Sequence, residues 1–259
     1  MAEGSSKTQA QERTQDSLFD GELFCIQHRH GYRFSIDPVL LAHFVRLGKE
    51  ETVLDLGAGC GVAGLILLYR LAASIRSLTA FELQSGLAQL GRENITANGF
   101  ADKARVVEGD LRQILQLIPA ESHGVVICNP PFYAAGSGRS SSNTEACIAR
   151  HQVACSLDDI LSAASAVLKN RGRLFLIYPA EGLGTLLARL PIHHLAVKRL
   201  QFVYSYPDPV APARLFLIEC VKNGGEGMVV ESPFHVYVKK DGEYSPAMNK
   251  LYQPNPKRP

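Results

Sequence analysis

The chain contains no tryptophan, only three methionines in 259 residues, and no apolar run of the length a bilayer demands. A membrane-crossing helix needs about 20 consecutive apolar residues. A helical membrane protein is therefore not expected, and the sequence shows neither a secretory h-region at its start nor an internal repeat. A strong charge of one sign is also missing, since 27 basic and 25 acidic residues leave a formal charge of +2. Any nucleic-acid surface must then be a local patch rather than a global field. The six cysteines, Cys25, Cys60, Cys128, Cys147, Cys155 and Cys220, include no C-x-x-C pair or other zinc spacing. No metal is expected, and the thiols are expected to be reduced and mostly buried in a cytoplasmic protein. His193 and His194 fall in an expected loop with no cysteine or acid at metal spacing, which points to a surface role.

What is present is enough apolar sequence, 46%, to bury the core of one doubly wound domain. The most informative run is Val125-Val126-Ile127-Cys128-Asn129-Pro130-Pro131-Phe132-Tyr133, an apolar strand ending in Asn-Pro-Pro-aromatic. Two prolines fix the backbone and remove two N–H donors, so the turn presents carbonyls beside the amide oxygen of Asn129 and an aromatic ring. That set suits a planar exocyclic amine. Such an amine can donate to Asn129 Oδ1 and to the Pro130 carbonyl, which aims its lone pair at an electrophile. Phe132 can stack on the base and stabilise developing positive charge by about 1–2 kcal/mol. Tyr133 is expected as a wall of the substrate pocket, and the Gly/Ser-rich stretch 134–144 after it, carrying Arg139, is expected to order over substrate.

Upstream, Thr52-Val53-Leu54-Asp55-Leu56 runs into a glycine turn with Gly57, Gly59 and Gly61, followed by a helical pattern from Val62 to Leu71. Glycines here let the backbone approach a ligand, and the helix start offers free N–H groups. Gly59, Gly61 and Gly64 also satisfy the dinucleotide string G-x-G-x-x-G, so the turn alone leaves NAD open. A carboxylate at Asp55 disfavours a pyrophosphate and suits the ammonium group of S-adenosylmethionine. Glu82, ending the next strand, can accept from ribose hydroxyls, and Asp110, after the strand that starts at Ala104, can accept from an adenine amine. Asp55, Glu82, Asp110 and Asn129 thus fall at four successive strand ends.

Together these residues resemble a class I S-adenosylmethionine-dependent methyltransferase of the amine-methylating group. More narrowly the chain is similar to the bacterial tRNA1(Val) adenine-N6 methyltransferase family, through Gln27, the segment Gly31-Tyr32-Arg33-Phe34-Ser35-Ile36-Asp37-Pro38-Val39-Leu40-Leu41-Ala42, and Ala149-Arg150-His151-Gln152. The resemblance implies a Rossmann-like α/β fold with a seven-stranded, mostly parallel sheet, helices on both faces and an antiparallel final strand pair. It also implies that Arg33 and Asp37 join Asp55, Gly57, Gly59, Glu82, Asp110 and Asn129 around the cofactor, with Asn129, Pro130, Pro131 and Phe132 catalytic. Its implied substrate is the N6 amine of adenine 37 in the tRNA1(Val) anticodon loop, where Tyr133, Arg139 and Arg150 would meet RNA. The order Phe132-Tyr133 departs from the Tyr-Phe order more usual in that family and bears on base identity.

The expected organisation is a polar tail over 1–17, a hairpin turning at His30-Gly31 with a helix from Pro38 to Leu47 as a lid over 18–48, a catalytic domain over 49–222 and an extension over 223–259. Other readings stay open from the residues alone. A protein-glutamine methylase of release factors or an rRNA guanine-N2 methylase would use the same tetrad. A non-catalytic RNA-binding module could keep the same fold.

Overall fold

The structure, a computed structural model, describes residues 12–29, 35–130 and 155–255. Arg33, Pro131, Phe132, Tyr133, Arg139, Cys147 and Arg150 lie outside the described residues.

An antiparallel hairpin, β1 (Arg13–Leu18) and β2 (Leu23–His28), precedes the main sheet. The turn expected at His30-Gly31 lies outside the described residues; the hairpin turns at Phe19–Gly21, and β1 starts inside the segment expected to be a tail. The reason is local. Asp20 and Gly21 have φ of 53° and 89°, the left-handed pair that an Asp-Gly hairpin turn uses. The strand before it, Arg-Thr-Gln-Asp-Ser-Leu, is polar because only its last residue is fully buried.

The central sheet is built from β3 (Glu51–Leu56), β4 (Ile75–Glu82), β5 (Ala104–Glu108), β6 (His123–Cys128), β7 (Leu168–Pro179), β8 (Leu195–Tyr204) and β9 (Leu215–Lys222). They lie in the order β5-β4-β3-β6-β7-β9-β8. All run parallel except β9, which pairs antiparallel with both β7 and β8. Two short strands, β10 (Val229–Val230) and β11 (Phe234–His235), add to the outer edge of β8 and bring the sheet to nine strands.

Helices α1 (Asp37–Phe44), α2 (Val62–Leu71) and α3 (Ser85–Ala97) share one core with Val53, Val125, Ile127 and Phe175. On the other face, α4 (Leu157–Val167) and α5 (Leu183–Arg189) pack with Leu54, Val126, Leu174 and Leu176. Consecutive residues of β6 therefore feed opposite cores, so a strand covered on both faces reads as a continuous apolar run. α1 is buried along seven of its eight residues, from Asp37 to Ala42 and at Phe44, which makes it part of the core rather than an overlying flap. α4 begins with a capping box, in which Ser156 Oγ accepts from the Asp159 amide at 3.1 Å and Asp159 Oδ2 accepts from the Ser156 amide at 2.9 Å. In the C-terminal extension, α6 (Pro246–Leu251) is capped by Ser245 and anchored by the fully buried Met248.

Candidate active site

The parallel strands deliver their carboxyl ends to one edge, where ligands bind in open α/β sheets. Along that edge, in sheet order, come Asp110 after β5, Glu82 ending β4, the glycine turn after β3 and Asn129 after β6. Three of the four positions singled out in the sequence, Glu82, Asp110 and Asn129, thus share one edge with the glycine turn, and the fourth, Asp55, lies one residue inside the end of β3.

The turn is held from two sides. The amides of Gly57 and Ala58 both donate to the Phe81 carbonyl, at 2.9 and 3.0 Å. Glu82 Oε2 accepts from the Gly59 amide at 2.8 Å, and its Oε1 accepts from the Gln84 amide at 2.9 Å. Gly57, Gly59 and Gly61 have φ of 72°, 58° and 87°, a left-handed path that L side chains resist. A methyl placed on Gly57 or Gly59 would meet nothing within 4 Å, so the turn faces open space of the kind a ligand fills.

Asp55 lies beneath this turn, 2% exposed, with Oδ2 accepting from the Gly64 amide in the first turn of α2 at 3.0 Å. Burial pushes its carboxyl up to about 7, against the hydrogen bond from Gly64, and the neighbouring Glu82 carboxylate raises it further. Burial also raises Glu82, opposed by the three amides that donate to it. Two carboxyl groups held in low dielectric under one turn make a place that favours a cation. Asp110 behaves differently, because it is the N-cap of the 3-10 turn Leu111–Gln116 and accepts from the Arg112 amide and Nε, each at 2.9 Å. The Arg112 guanidinium holds its carboxyl below the usual range.

Asn129 is half-buried and Pro130 buried at the end of β6. Beyond them, at the ends of β7 and β8 and the start of β9, lies an open cavity of about 820 Å³. It is lined by Pro179, Tyr204, Arg214 and Tyr237 together with Asp37. Asp37, expected near the cofactor, lies on this cavity's wall, with its carboxyl raised by burial. Apart from Asp37, the cavity had no signal in the sequence, because its other walls come mainly from β7, β8, β9 and the C-terminal extension, which only the fold brings together. Asn94 was also missed. It is fully buried on α3 and ties the Ile26 backbone to the Cys60 carbonyl through bonds of 2.7 to 3.0 Å.

Among the described residues no group of three or more His, Cys, Asp or Glu could hold a metal ion, and no helix is long and apolar enough to cross a membrane. His193 is partly buried, its Nε2 3.1 Å from Asp158 Oδ1.

Comparison with known proteins agrees with this geometry. A crystal structure of a predicted O-methyltransferase from Agrobacterium tumefaciens superposes with a TM-score of 0.66 at 21% identity, covering 83% of this chain and 95% of that one, which establishes the fold. The tRNA1(Val) (adenine(37)-N6)-methyltransferase of Shewanella halifaxensis is 30% identical over 87% of this chain and 92% of its own. That of Shewanella loihica is 28% identical over 91% and 97%. Residues 36–182 match the methyltransferase small domain. With the glycine turn, Glu82 and Asn129 on one sheet edge, these matches place the chain in the methyltransferase small domain family, among the tRNA1(Val) (adenine(37)-N6)-methyltransferases.

Proposed function

We propose that this S-adenosylmethionine-dependent methyltransferase methylates the exocyclic N6 amine of an adenine in RNA, with adenine 37 of tRNA1(Val) as the target, in the cytoplasm. The supporting observation is the position of Asn129-Pro130 between two halves of one edge: the glycine turn with Glu82 and Asp110 on one side, the cavity with Tyr204 and Tyr237 on the other. The first half fits a nucleoside cofactor with a cationic tail. Its turn opens onto free space, and its carboxyl groups offer acceptors for ribose hydroxyls and a field for an ammonium group.

When bound, S-adenosylmethionine supplies an electrophilic methyl group on sulfur. This chain's own residues do the rest. Glu82 fixes the turn through the Gly59 amide and presents its carboxylate to the ribose. Asp110, already oriented by Arg112, is the acceptor for the adenine amine in this reading. Asn129 Oδ1 and the Pro130 carbonyl accept the two amine hydrogens, and Phe132 stacks on the base, so the nitrogen is presented for in-line displacement. The exocyclic amine needs no strong base, since its proton leaves after the methyl has arrived. Anticodon-loop bases are offered outside a regular duplex, which lowers the cost of inserting one into a pocket. Arg33, Arg139 and Arg150 complete the proposed contacts, to cofactor and RNA.

Glu82→Ala removes the anchor of the Gly59 amide together with the ribose acceptor. The dissociation constant for S-adenosylmethionine is expected to rise by about 10–100-fold, one to two hydrogen bonds to a charged group. Isothermal titration measures this directly, and unchanged affinity would remove Glu82 from the site.

The activity itself is tested by incubating the protein with labelled S-adenosylmethionine and separate tRNA, rRNA and protein fractions from cells lacking the gene. N6-methyladenosine in tRNA is the expected product. Label in protein, or in N2-methylguanosine, would overturn the proposed acceptor while leaving the cofactor half standing.

A further inference from the structure

We propose that Cys25 and Cys60 are a site of reversible oxidation by hydroperoxides, closing a disulfide that joins the N-terminal hairpin to the glycine turn and weakens cofactor binding. The consequence for cofactor rests on the reading of that turn given above, whereas the disulfide itself does not.

The two sulfurs are 4.0 Å apart, in contact, although their residues stand 35 positions apart in sequence. Cys25 comes from β2 and is 1% exposed, while Cys60 sits between Gly59 and Gly61 and is 9% exposed. Asn94 holds both sides in place. Its side-chain amide donates to the Ile26 carbonyl and the Cys60 carbonyl, both at 3.0 Å, and approaches Cys25 Sγ at 3.8 Å. Hairpin, turn and α3 therefore converge on this thiol pair, which is preorganised without being bonded. Hydrogen bonding from Cys25 lowers the Cys60 thiol against the opposing effects of burial and of the Glu82 and Asp55 carboxyl groups, while Cys25 itself is raised. Cys60 is thus the thiol whose partner hydrogen bond favours the thiolate, the form that attacks a peroxide.

The chemistry balances with a hydroperoxide as oxidant. The Cys60 thiolate attacks the O–O bond and becomes a sulfenic acid, releasing an alcohol or, from hydrogen peroxide, water. The Cys25 sulfur then displaces the sulfenic oxygen as water, forming the S–S bond. Two electrons pass from the sulfur pair to the peroxide, and a dithiol reverses the step by exchange. In a reducing compartment such a bond is transient, which is the setting in which redox-sensing disulfides occur.

Closing the bond shortens the sulfur separation from 4.0 Å to about 2.05 Å. The displacement falls on Cys60 and so on Gly59, whose amide is bonded to Glu82 at 2.8 Å. The hairpin is the more firmly held side, since Asn94 accepts from the Ile26 amide at 2.7 Å and donates back to the Ile26 carbonyl, against a single bond to the Cys60 carbonyl. The turn, with its three glycines at positive φ, is the softer partner.

The experiment treats the purified full chain with hydrogen peroxide, alkylates the remaining thiols, maps the peptides and titrates S-adenosylmethionine before and after dithiothreitol. A linked Cys25–Cys60 peptide is expected, with affinity about tenfold weaker and both effects reversed by dithiothreitol. Cys25→Ser and Cys25→Ala, checked for native melting, should keep their affinity through the same treatment. Two alkylatable thiols after peroxide has consumed others would overturn the site, and a linked peptide with unchanged affinity would overturn its effect on cofactor. If the reduced chain binds no S-adenosylmethionine, the cofactor reading fails, and the peptide map still decides the disulfide.

Discussion

Asn129→Ala is expected to lower the rate of methyl transfer by about 10³-fold, close to 4 kcal/mol of barrier, while S-adenosylmethionine affinity stays within about threefold. The substitution removes one acceptor for the target amine and leaves the Pro130 carbonyl and the backbone of β6 in place. Pro130 is buried at the strand end, and its carbonyl does not depend on the Asn129 side chain. What is lost acts only on the reacting nitrogen, and such a loss falls on turnover rather than on ground-state binding. Single-turnover kinetics with saturating cofactor and RNA, beside calorimetric titration of cofactor alone, separate the two. A parallel loss of cofactor affinity would assign Asn129 mainly to the cofactor.

The protein's stability should fall as pH rises from about 4 to about 7, to the extent that Asp55 controls it, and Asp55→Asn should flatten that slope. The Asp55 carboxyl has an ordinary value of 3.8 and is raised to about 7 in the fold, chiefly by burial. Between those two values the folded chain holds a proton that the unfolded chain has released, so ionisation favours unfolding there and stops mattering above about 7. A shift of roughly three units corresponds to at most about 4 kcal/mol. Asparagine keeps an oxygen for the Gly64 amide, 3.0 Å from Oδ2, and cannot ionise. The variant is therefore expected to melt higher than the parent at about pH 8, with the difference vanishing near pH 4. Thermal melts across that range test this, and parallel curves for both proteins would show that Asp55 stays ionised in the fold. A cation bound at the turn would pull the same proton off, so cofactor affinity should climb over the same interval in the parent alone.

Much of this architecture was legible because its strands are buried on both faces and its turns are chemically marked. Val125 to Cys128 reads as an uninterrupted apolar run and Val53 to Leu56 as one broken only by Asp55, and each ended at Asn or Gly where the chain leaves the sheet. The helical pattern from Val62 to Leu71 is realised as α2 with those bounds. β1 escaped notice because a polar strand paired only with β2 has no apolar rhythm to betray it, although Asp20-Gly21 carried the turn signal. α1 was read as a lid because sequence gives its apolar content but not its neighbours. The burial of Asp55 likewise depends on α2 folding back over the strand end, a tertiary fact. The thiol pair and the cavity are long-range in the same sense: their residues share no spacing that a scan along the chain could catch.

β8 lies at the end of the seven long strands, and ten residues of unpaired backbone there would be a template for other strands. The extension covers it in pieces. Val229-Val230 pairs with Arg199-Leu200, Phe234-His235 pairs with Val203-Tyr204, and Gln201 Nε2 donates to the Ser232 carbonyl at 3.0 Å between them. Near the strand's start, Lys198 Nζ donates to the Glu226 carbonyl at 2.9 Å. The segment after β9 thus works as a selvedge that keeps the sheet from growing sideways, so the boundary of the sheet is set by the chain's own residues 226–235.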